Sequence, residues 1–484
     1  MQTRSPIVVG REAESGVLRR AIGDARGGRG GAVFLVGEPG VGKSRLAATA
    51  TGLAFDAGLH TLRGRGSVIG PMVPYRPLTE ALLSLLRAGD LPDLDELGGY
   101  RPVLGRLVPD WATPGATTGG SVVVLAEAVL RLLAIAGRGR GCLLVLDDLQ
   151  DADAETLAVV EYLVDNVAGQ PVLLAGTVRD EPGAAVDLAR SASQRGAAEL
   201  LELARLNRGQ VTLMAASCLD TAPERVPAAV AEQLWADSAG NPFVVEELLH
   251  GMVAGGLLVP GGDGWQVAGE LRTEVPAAVV RSIAHRTDRL GEPARTLLSV
   301  AAVLGHRFPL AVLRAATGTD DRTILANLHA GVAAQLVTPD EPAPDWYAFR
   351  HPLTAEALLA ALDPGRRADL SGRAADAVEQ LYPGLAGDWC PLVASLRLAA
   401  GDTARAGELF AVAGRRALDD GATQSAVALL ERAHGLLTDV PALAGALDDL
   451  LLALGEAGEF DRALGLAGEV AELGRHGLAD RRRI

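Results

Sequence analysis

Lysine is almost missing from this chain. Of its 45 lysine and arginine residues, only Lys43 is lysine. Arginine carries every other positive charge, so Lys43 marks a place that needs a compact ammonium and cannot use a planar guanidinium. A guanine-reading NKxD motif is thereby excluded, because its lysine would have to be this one. Cysteine is also scarce. Cys142, Cys218 and Cys390 lie far apart and form no CxxC pair, which excludes a disulfide framework and fits a reducing cytoplasm. No long uncharged apolar run exists. The most apolar stretch, 121–136, is broken by Glu127 and Arg131, whereas a membrane span needs ~20 largely apolar residues. The start, MQTRSPIVVGRE, has no apolar core before a small-residue cleavage site, which argues against secretion. Positive charge is deficient: the net charge is −15 and the sequence pI about 5.1. The only short basic run is Arg481 to Arg483, too little for the phosphate contacts of specific DNA binding.

What is present reads as several domains. With 484 residues, of which 49% are apolar, the chain suffices for roughly three domains of ~150 residues. Apolar runs at 32–36 (AVFLV), 142–146 (CLLVL) and 171–178 (PVLLAGTV) read as buried parallel strands, with weaker ones at 59–63 and 200–203. Helical patterns at 43–57, 78–86, 122–135 and 156–167 alternate with them. The expectation for 1–205 is a doubly wound α/β sheet. A helical lid is expected over 206–272, with 255–264 as a glycine-rich turn or loop. Helices at 279–290, 294–304, 310–316 and 324–333, then a polar, proline-rich turn at 339–344 and a short strand-like YAFR, read as helices followed by a hairpin and predict a winged helix over 273–363. From 364 to 484 the chain is alanine- and leucine-rich helix. Turns at Gly401, Gly421 and Gly458 each precede an apolar face, and the last two recur near the ~34-residue period of tetratricopeptide-like pairs. An irregular helical bundle is the alternative. The chain stops inside these repeats without an evident polar cap, as a piece of a longer protein would.

Three motifs carry chemistry. Gly37, Glu38, Pro39, Gly40, Val41, Gly42, Lys43 and Ser44 fit GxxxxGK[ST] between a strand and a helix. Such glycines let successive backbone N–H groups face phosphate oxygens, while the helix N-terminus adds its dipole. Lys43 is placed to reach the β- and γ-phosphates and Ser44 to put its hydroxyl on Mg2+. Leu143-Leu-Val-Leu-Asp147-Asp148 is a buried strand ending in two carboxylates. Asp147 is expected to hold Mg2+ through water, and Asp148 to orient or deprotonate the attacking water. Arg179 ends the third strand, where it can sense the γ-phosphate; a surface ion pair is the alternative.

The ordered set of Val9-Gly10-Arg11-Glu12, GEPGVGKSRLA, Pro74-Tyr75, LLVLDDLQDAD, LLAGTVRDE, SAGNPFVVEELL and FRHPLTAEAL resembles STAND-class P-loop ATPases. It is most similar to the large ATP-binding LuxR-type transcriptional regulators. The resemblance implies ATP or ADP with Mg2+, Gly10 and Arg11 near adenine and ribose, and Arg45 beside the P-loop. It places Pro242 on the base from the lid and His351 near the nucleotide from the winged helix. It implies a slow ATPase used as a switch, an inducer or protein partner at the repeats, and a possible nucleotide-dependent oligomer. One departure matters: those regulators end in a helix-turn-helix, and this sequence has none, so specific DNA binding by 1–484 alone is not expected. A catalytic ATPase or kinase acting on a separate substrate is the other reading.

Overall fold

The computed structural model describes residues 5–66, 74–87, 93–111, 121–261, 264–268, 283, 286–334, 336–340, 345–350 and 352–475. The N-terminal part is a five-stranded parallel sheet, β1 Gly31–Gly37, β2 His60–Arg65, β3 Cys142–Asp147, β4 Val172–Arg179 and β5 Glu199–Glu202, in the order β2-β3-β4-β1-β5. β1 and β3 are unbroken apolar runs because both of their faces are covered. On one face, Val33, Leu35, Leu143 and Val145 pack on helices α1 (Glu12–Arg26) and α2 (Lys43–Asp56) through Leu18, Ile22, Leu46 and Ala50. On the other, Phe34, Val36, Leu144 and Leu146 join α3 (Arg76–Arg87), α5 (Val122–Ala136), α6 (Ala154–Asn166) and α7 (Ala184–Gln194); the short α4 (Arg101–Leu104) precedes α5.

Next come α8 (Arg208–Cys218), α9 (Ala228–Ser238) and α10 (Pro242–Ala254), around an apolar cluster of their own. The stretch expected to be a glycine loop is instead mostly a hairpin, β6 Leu258–Gly261 and β7 Gly264–Val267. Gly261 and Gly264 form the closing pair of the hairpin, and Trp265 anchors it by donating from Nε1 to the Leu219 carbonyl at 3.1 Å.

Of the helix expected at 279–290, only 283 and 286–290 are described. It is followed by α11 (Glu292–Leu304), α12 (Leu310–Thr317), α13 (Asp321–Ala333) and α14 (Pro352–Ala360). They accompany a three-stranded antiparallel sheet, β8 Arg307–Pro309, β10 Trp346–Phe349 and β9 Val337–Pro339, in that order. The sequence showed only the β10 strand of this sheet.

Six helices follow among the described residues: α15 (Pro364–Leu381), α16 (Trp389–Ala399), α17 (Thr403–Asp419), α18 (Thr423–Leu436), α19 (Val440–Glu456) and α20 (Phe460–Arg475). Gly401, Gly421 and Gly458 take φ of +87°, +70° and +78° in the turns before α17, α18 and α20, a conformation that glycine adopts without a Cβ clash. The apolar core of the sheet's outer face continues into these helices through Ala422 and Ala426. Among the described residues, no helix is long and apolar enough to cross a membrane.

Candidate functional site

A cavity of about 640 Å³ opens at the carboxyl ends of β1, β3 and β4. Its size suits a nucleotide-sized ligand. Gly42 is the N-cap of α2, with φ +105° and no side chain to cap the helix. The orphan N–H groups of the first turn are therefore available to an anion, and the helix dipole favours one there. Lys43 is buried and donates from Nζ to the carbonyls of Gly37 (2.6 Å) and Glu38 (2.9 Å). Ser44 Oγ donates to Asp147 Oδ1 at 3.0 Å. Asp147 is fully buried at the end of β3, and Thr177 of the adjacent strand β4 donates to the same oxygen.

Asp148 follows in the left-handed region at φ 56°. Its N–H donates to Thr177 Oγ1 at 2.8 Å. Arg65, at the end of β2, grips its carboxylate with two donors at 2.9 and 2.6 Å, and Gln150 Nε2 adds a third at 3.0 Å. Burial alone would raise this carboxyl. Arg65, the hydrogen bonds from Gln150 and Arg65, and the charge of Arg179 outweigh burial and hold it below the usual carboxylate range. Asp148 is thus an ionised acceptor, suited to orienting a water more than to removing its proton. Arg65 also donates to His306 Nε2 at 2.8 Å, just before β8.

Arg179 pairs in register with Gly37 and lines the cavity. Among the described residues it holds no carboxylate partner. The alternative of a surface ion pair is therefore not seen among the described residues, and the charge of Arg179 bears on Lys43 and Asp148.

The remaining expected contacts divide. Pro39, Gly40, Val41, Gly42, Arg45 and Pro242 line the cavity with Lys43 and Ser44. Gly37 and Glu38 lie behind it: their carbonyls hold Lys43, and the Glu38 carboxylate pairs with Arg205 at 2.6 Å. Gly10 is also off the wall. At φ +67°, a Cβ there would lie 2.3 Å from Gln210 Nε2. Arg11 borders the cavity, but its guanidinium donates to the carbonyls of Ala204 (2.5 Å) and Val41 (3.3 Å). It braces the P-loop from behind. Arg45 pairs with Glu246 at 3.4 Å and donates to the Ile7 carbonyl at 3.1 Å. Pro242 opens α10, whose N-cap Asn241 donates to the Pro39 carbonyl at 2.9 Å; Phe243 N–H reaches the Gly40 carbonyl at 3.3 Å. The lid thus rests on the P-loop backbone itself. His351 lies outside the described residues.

Arg65, Thr177, Gln150 and His306 were not expected from sequence. One signal was available: Arg65 ends a strand, and in such sheets strand ends line the ligand crevice.

Burial lowers the Lys43 ammonium from its usual value of 10.5 to about 8, with Asp148 and Asp147 resisting and Arg179 assisting. A phosphate prefers the protonated form. Nucleotide affinity should therefore be full below pH 8 and fall as pH rises through about 8, by up to tenfold per unit. Calorimetry between pH 7 and 9.5 checks this; a flat profile would show that Lys43 does not meet the phosphates.

A glycine loop over a helix N-terminus, a lysine behind it and a serine–carboxylate pair beside it define a P-loop ATPase. Residues 7–175 match the sequence model of the AAA ATPase domain, and this segment is an ATP-binding domain of that type. The whole chain has the fold of a solved STAND protein (signal transduction ATPase with numerous domains) with a tetratricopeptide repeat sensor, from Pyrococcus horikoshii. The similarity covers 98% of this chain and 66% of that one, at 15% identity and a TM-score of 0.51. The chain thus spans 66% of that protein's length. Weaker similarities are to the ORC2 protein of Aeropyrum pernix (12% identity, 77% of this chain and 95% of that one, TM-score 0.37) and to a Walker-type ATPase of Pyrococcus abyssi (14%, 74% and 97%, TM-score 0.35). No curated protein sequence matches the chain.

Proposed function

We propose that this chain is a slowly hydrolysing nucleotide switch, the ATPase and sensor part of a LuxR-family transcriptional regulator. One observation carries the switch reading. The cavity wall combines Lys43, Asp147 and Arg179 of the P-loop domain, Pro242 and Glu247 of the lid, and Arg286, His306 and Arg350 of the 273–363 segment. A nucleotide there touches three of four parts, so its γ-phosphate can favour one arrangement over another. Moving such an equilibrium from 1:99 to 99:1 takes about 5.5 kcal/mol of differential binding. A few charge-assisted hydrogen bonds of about 1.5–3 kcal/mol each supply that. The 273–363 segment is read as a winged helix packed inward on the nucleotide, and the repeats as the receiver of an inducer or protein partner.

Mg2+ fits the site. Ser44 Oγ and Asp147 Oδ1 are 3.0 Å apart, close to the ~2.9 Å edge of an octahedron with 2.0–2.1 Å bonds. Among the described residues no cluster of three His, Cys, Asp or Glu side chains could hold a metal, so the remaining ligands would be phosphate and water. Bound there, the ion would neutralise phosphate charge, with Asp147 as its direct or water-mediated anchor.

The expected result is binding of ATP and ADP well ahead of GTP, with turnover well below the ~1–100 per second of kinases. Calorimetry and a steady-state phosphate assay test it. Equal GTP affinity would remove the adenine assignment, and fast turnover would favour the catalytic reading. Specific, salt-sensitive DNA retardation by 1–484 alone would overturn the reading of the winged helix as inward-facing.

A further inference from the structure

The main-chain ladder between β3 and β4 ends at Leu146 and Gly176. Beyond it, side chains hold the two strand ends together. Thr177 Oγ1 takes the Asp148 N–H, and Gln150 Oε1 takes the N–H of Arg179 at 3.0 Å. The other end of the same amide is also engaged. Gln150 Nε2 donates to Asp148 Oδ1 and to Asp151 Oδ2, both at 3.0 Å. A side-chain amide has two N–H donors and a carbonyl acceptor, while a backbone N–H can only donate and an ionised carboxylate can only accept. These partners fix which end of the amide is which, and they commit both donors and the acceptor.

Gln150 is set in place by a turn with little freedom. The turn Leu149–Asp151 follows Asp148 in its left-handed conformation. Leu149 is 1% exposed and packs against β4, where a Cβ on Gly176 would lie 2.8 Å from Leu149 Cδ1. The backbone of the turn is therefore pinned in the core, and the Gln150 side chain spans the gap to the end of β4. Arg65 takes Oδ2 of Asp148 while Gln150 takes Oδ1, so the two together set the plane of the carboxylate. Arg179 is held on its other side as well. The next residue, Asp180, donates its N–H to the Gly37 carbonyl at 3.1 Å, the same oxygen that holds Lys43 Nζ at 2.6 Å. The end of β4 thus bears on the P-loop lysine on one side and, through one amide, on Asp148 on the other.

We propose that Gln150 is a positioning residue for hydrolysis, which fixes the plane of the Asp148 carboxylate and passes to it any shift of the β4 end when Arg179 meets the γ-phosphate. Gln150 stands behind the cavity wall that Asp148 and Arg179 line, so it acts through Asp148 and not on the nucleotide. This deepens the switch reading and rests on it, since it needs Asp148 to orient the water and Arg179 to sense the γ-phosphate.

The test uses the full chain with Mg2+. Single-turnover hydrolysis, ATP titration and hydrogen exchange at the Arg179 amide are measured together. Gln150→Leu keeps the bulk and removes all three hydrogen bonds. It should slow hydrolysis ~10-fold, leave half-saturating ATP within about twofold, and raise exchange at Arg179 at least ~10-fold with β1 unchanged. Gln150→Glu keeps an acceptor for Arg179 but loses the donors to Asp148, so it should slow hydrolysis as fully while Arg179 stays protected. In an Asp148→Asn background, and separately in an Arg179→Ala background, adding Gln150→Leu should cost less than about twofold, because residues that act as a unit are not additive. A full ~10-fold loss in the first background overturns the positioning role, and in the second it overturns the relay from Arg179. Rate and ATP affinity falling together would show a loosened site and overturn both. Gln150→Asn, one methylene short, serves if Gln150→Leu does not fold. A parent chain that hydrolyses no ATP would sink the switch reading. Fast exchange at Arg179 in the parent, or no rise in Gln150→Leu, overturns the Gln150 link whether or not that reading stands.

Discussion

Asp148→Asn is expected to lower single-turnover hydrolysis by about 100-fold and to leave ATP affinity within about twofold of the parent. That is the low end of what a positioned acid–base group contributes, roughly 10²- to 10⁴-fold. The low end follows from the site. Arg65 and Gln150 hold the carboxylate ionised, so its contribution is charge and orientation of the water more than proton removal. Asp147→Asn should instead impair the magnesium dependence itself, since this buried carboxylate gathers Ser44 and Thr177. Rapid-quench hydrolysis across a magnesium titration, with calorimetry for binding, separates the two. Normal turnover in both variants would remove the pair from the mechanism. Loss of binding in Asp148→Asn would recast that residue as a ligand contact.

Lys43→Ala should weaken ATP and ADP binding by ~10- to 150-fold, about 1.5–3 kcal/mol, the value of one hydrogen bond to a charged group. The chain contains no second lysine, and Arg179 approaches from another strand, so nothing nearby reproduces a compact cation on the loop's inner side. Lys43→Arg should fail almost as fully, because the two loop carbonyls at 2.6 and 2.9 Å leave a planar fork no comparable seat. Equilibrium titration with a fluorescent nucleotide measures both. Parent-like affinity in either variant would place the phosphates elsewhere.

Much of this architecture was written locally. AVFLV and CLLVL could only be strands buried on both faces, and they form β1 and β3. The GEPGVGKS loop needs nothing beyond its own glycines and the next helix to present N–H groups, so it was legible as a candidate site, although Gly37 and Glu38 lie behind the cavity. Asp147 and Asp148 were legible for the same reason, as carboxylates ending a buried strand. The turns before α17, α18 and α20 were legible through glycines that take positive φ there.

Strand order lay outside that reach. Only the fold inserts β4 between β1 and β3, which brings Thr177 onto Asp147 and sets Arg179 beside Gly37. Only the fold lays β2 against β3, so that Arg65 meets Asp148 and, beyond it, His306. Whether Arg11 would touch a nucleotide or a carbonyl was likewise undecidable from its neighbours in sequence. Glu155 shows the limit most clearly. In sequence it is one acidic residue in a helix's first turn, a common placement for the dipole; in the structure it caps another helix 270 residues away. Backbone conformation is fixed within a few residues by sterics and apolar pattern. The partner of a polar side chain is fixed by which distant backbone the folded chain brings within 3 Å, and only the tertiary structure decides that.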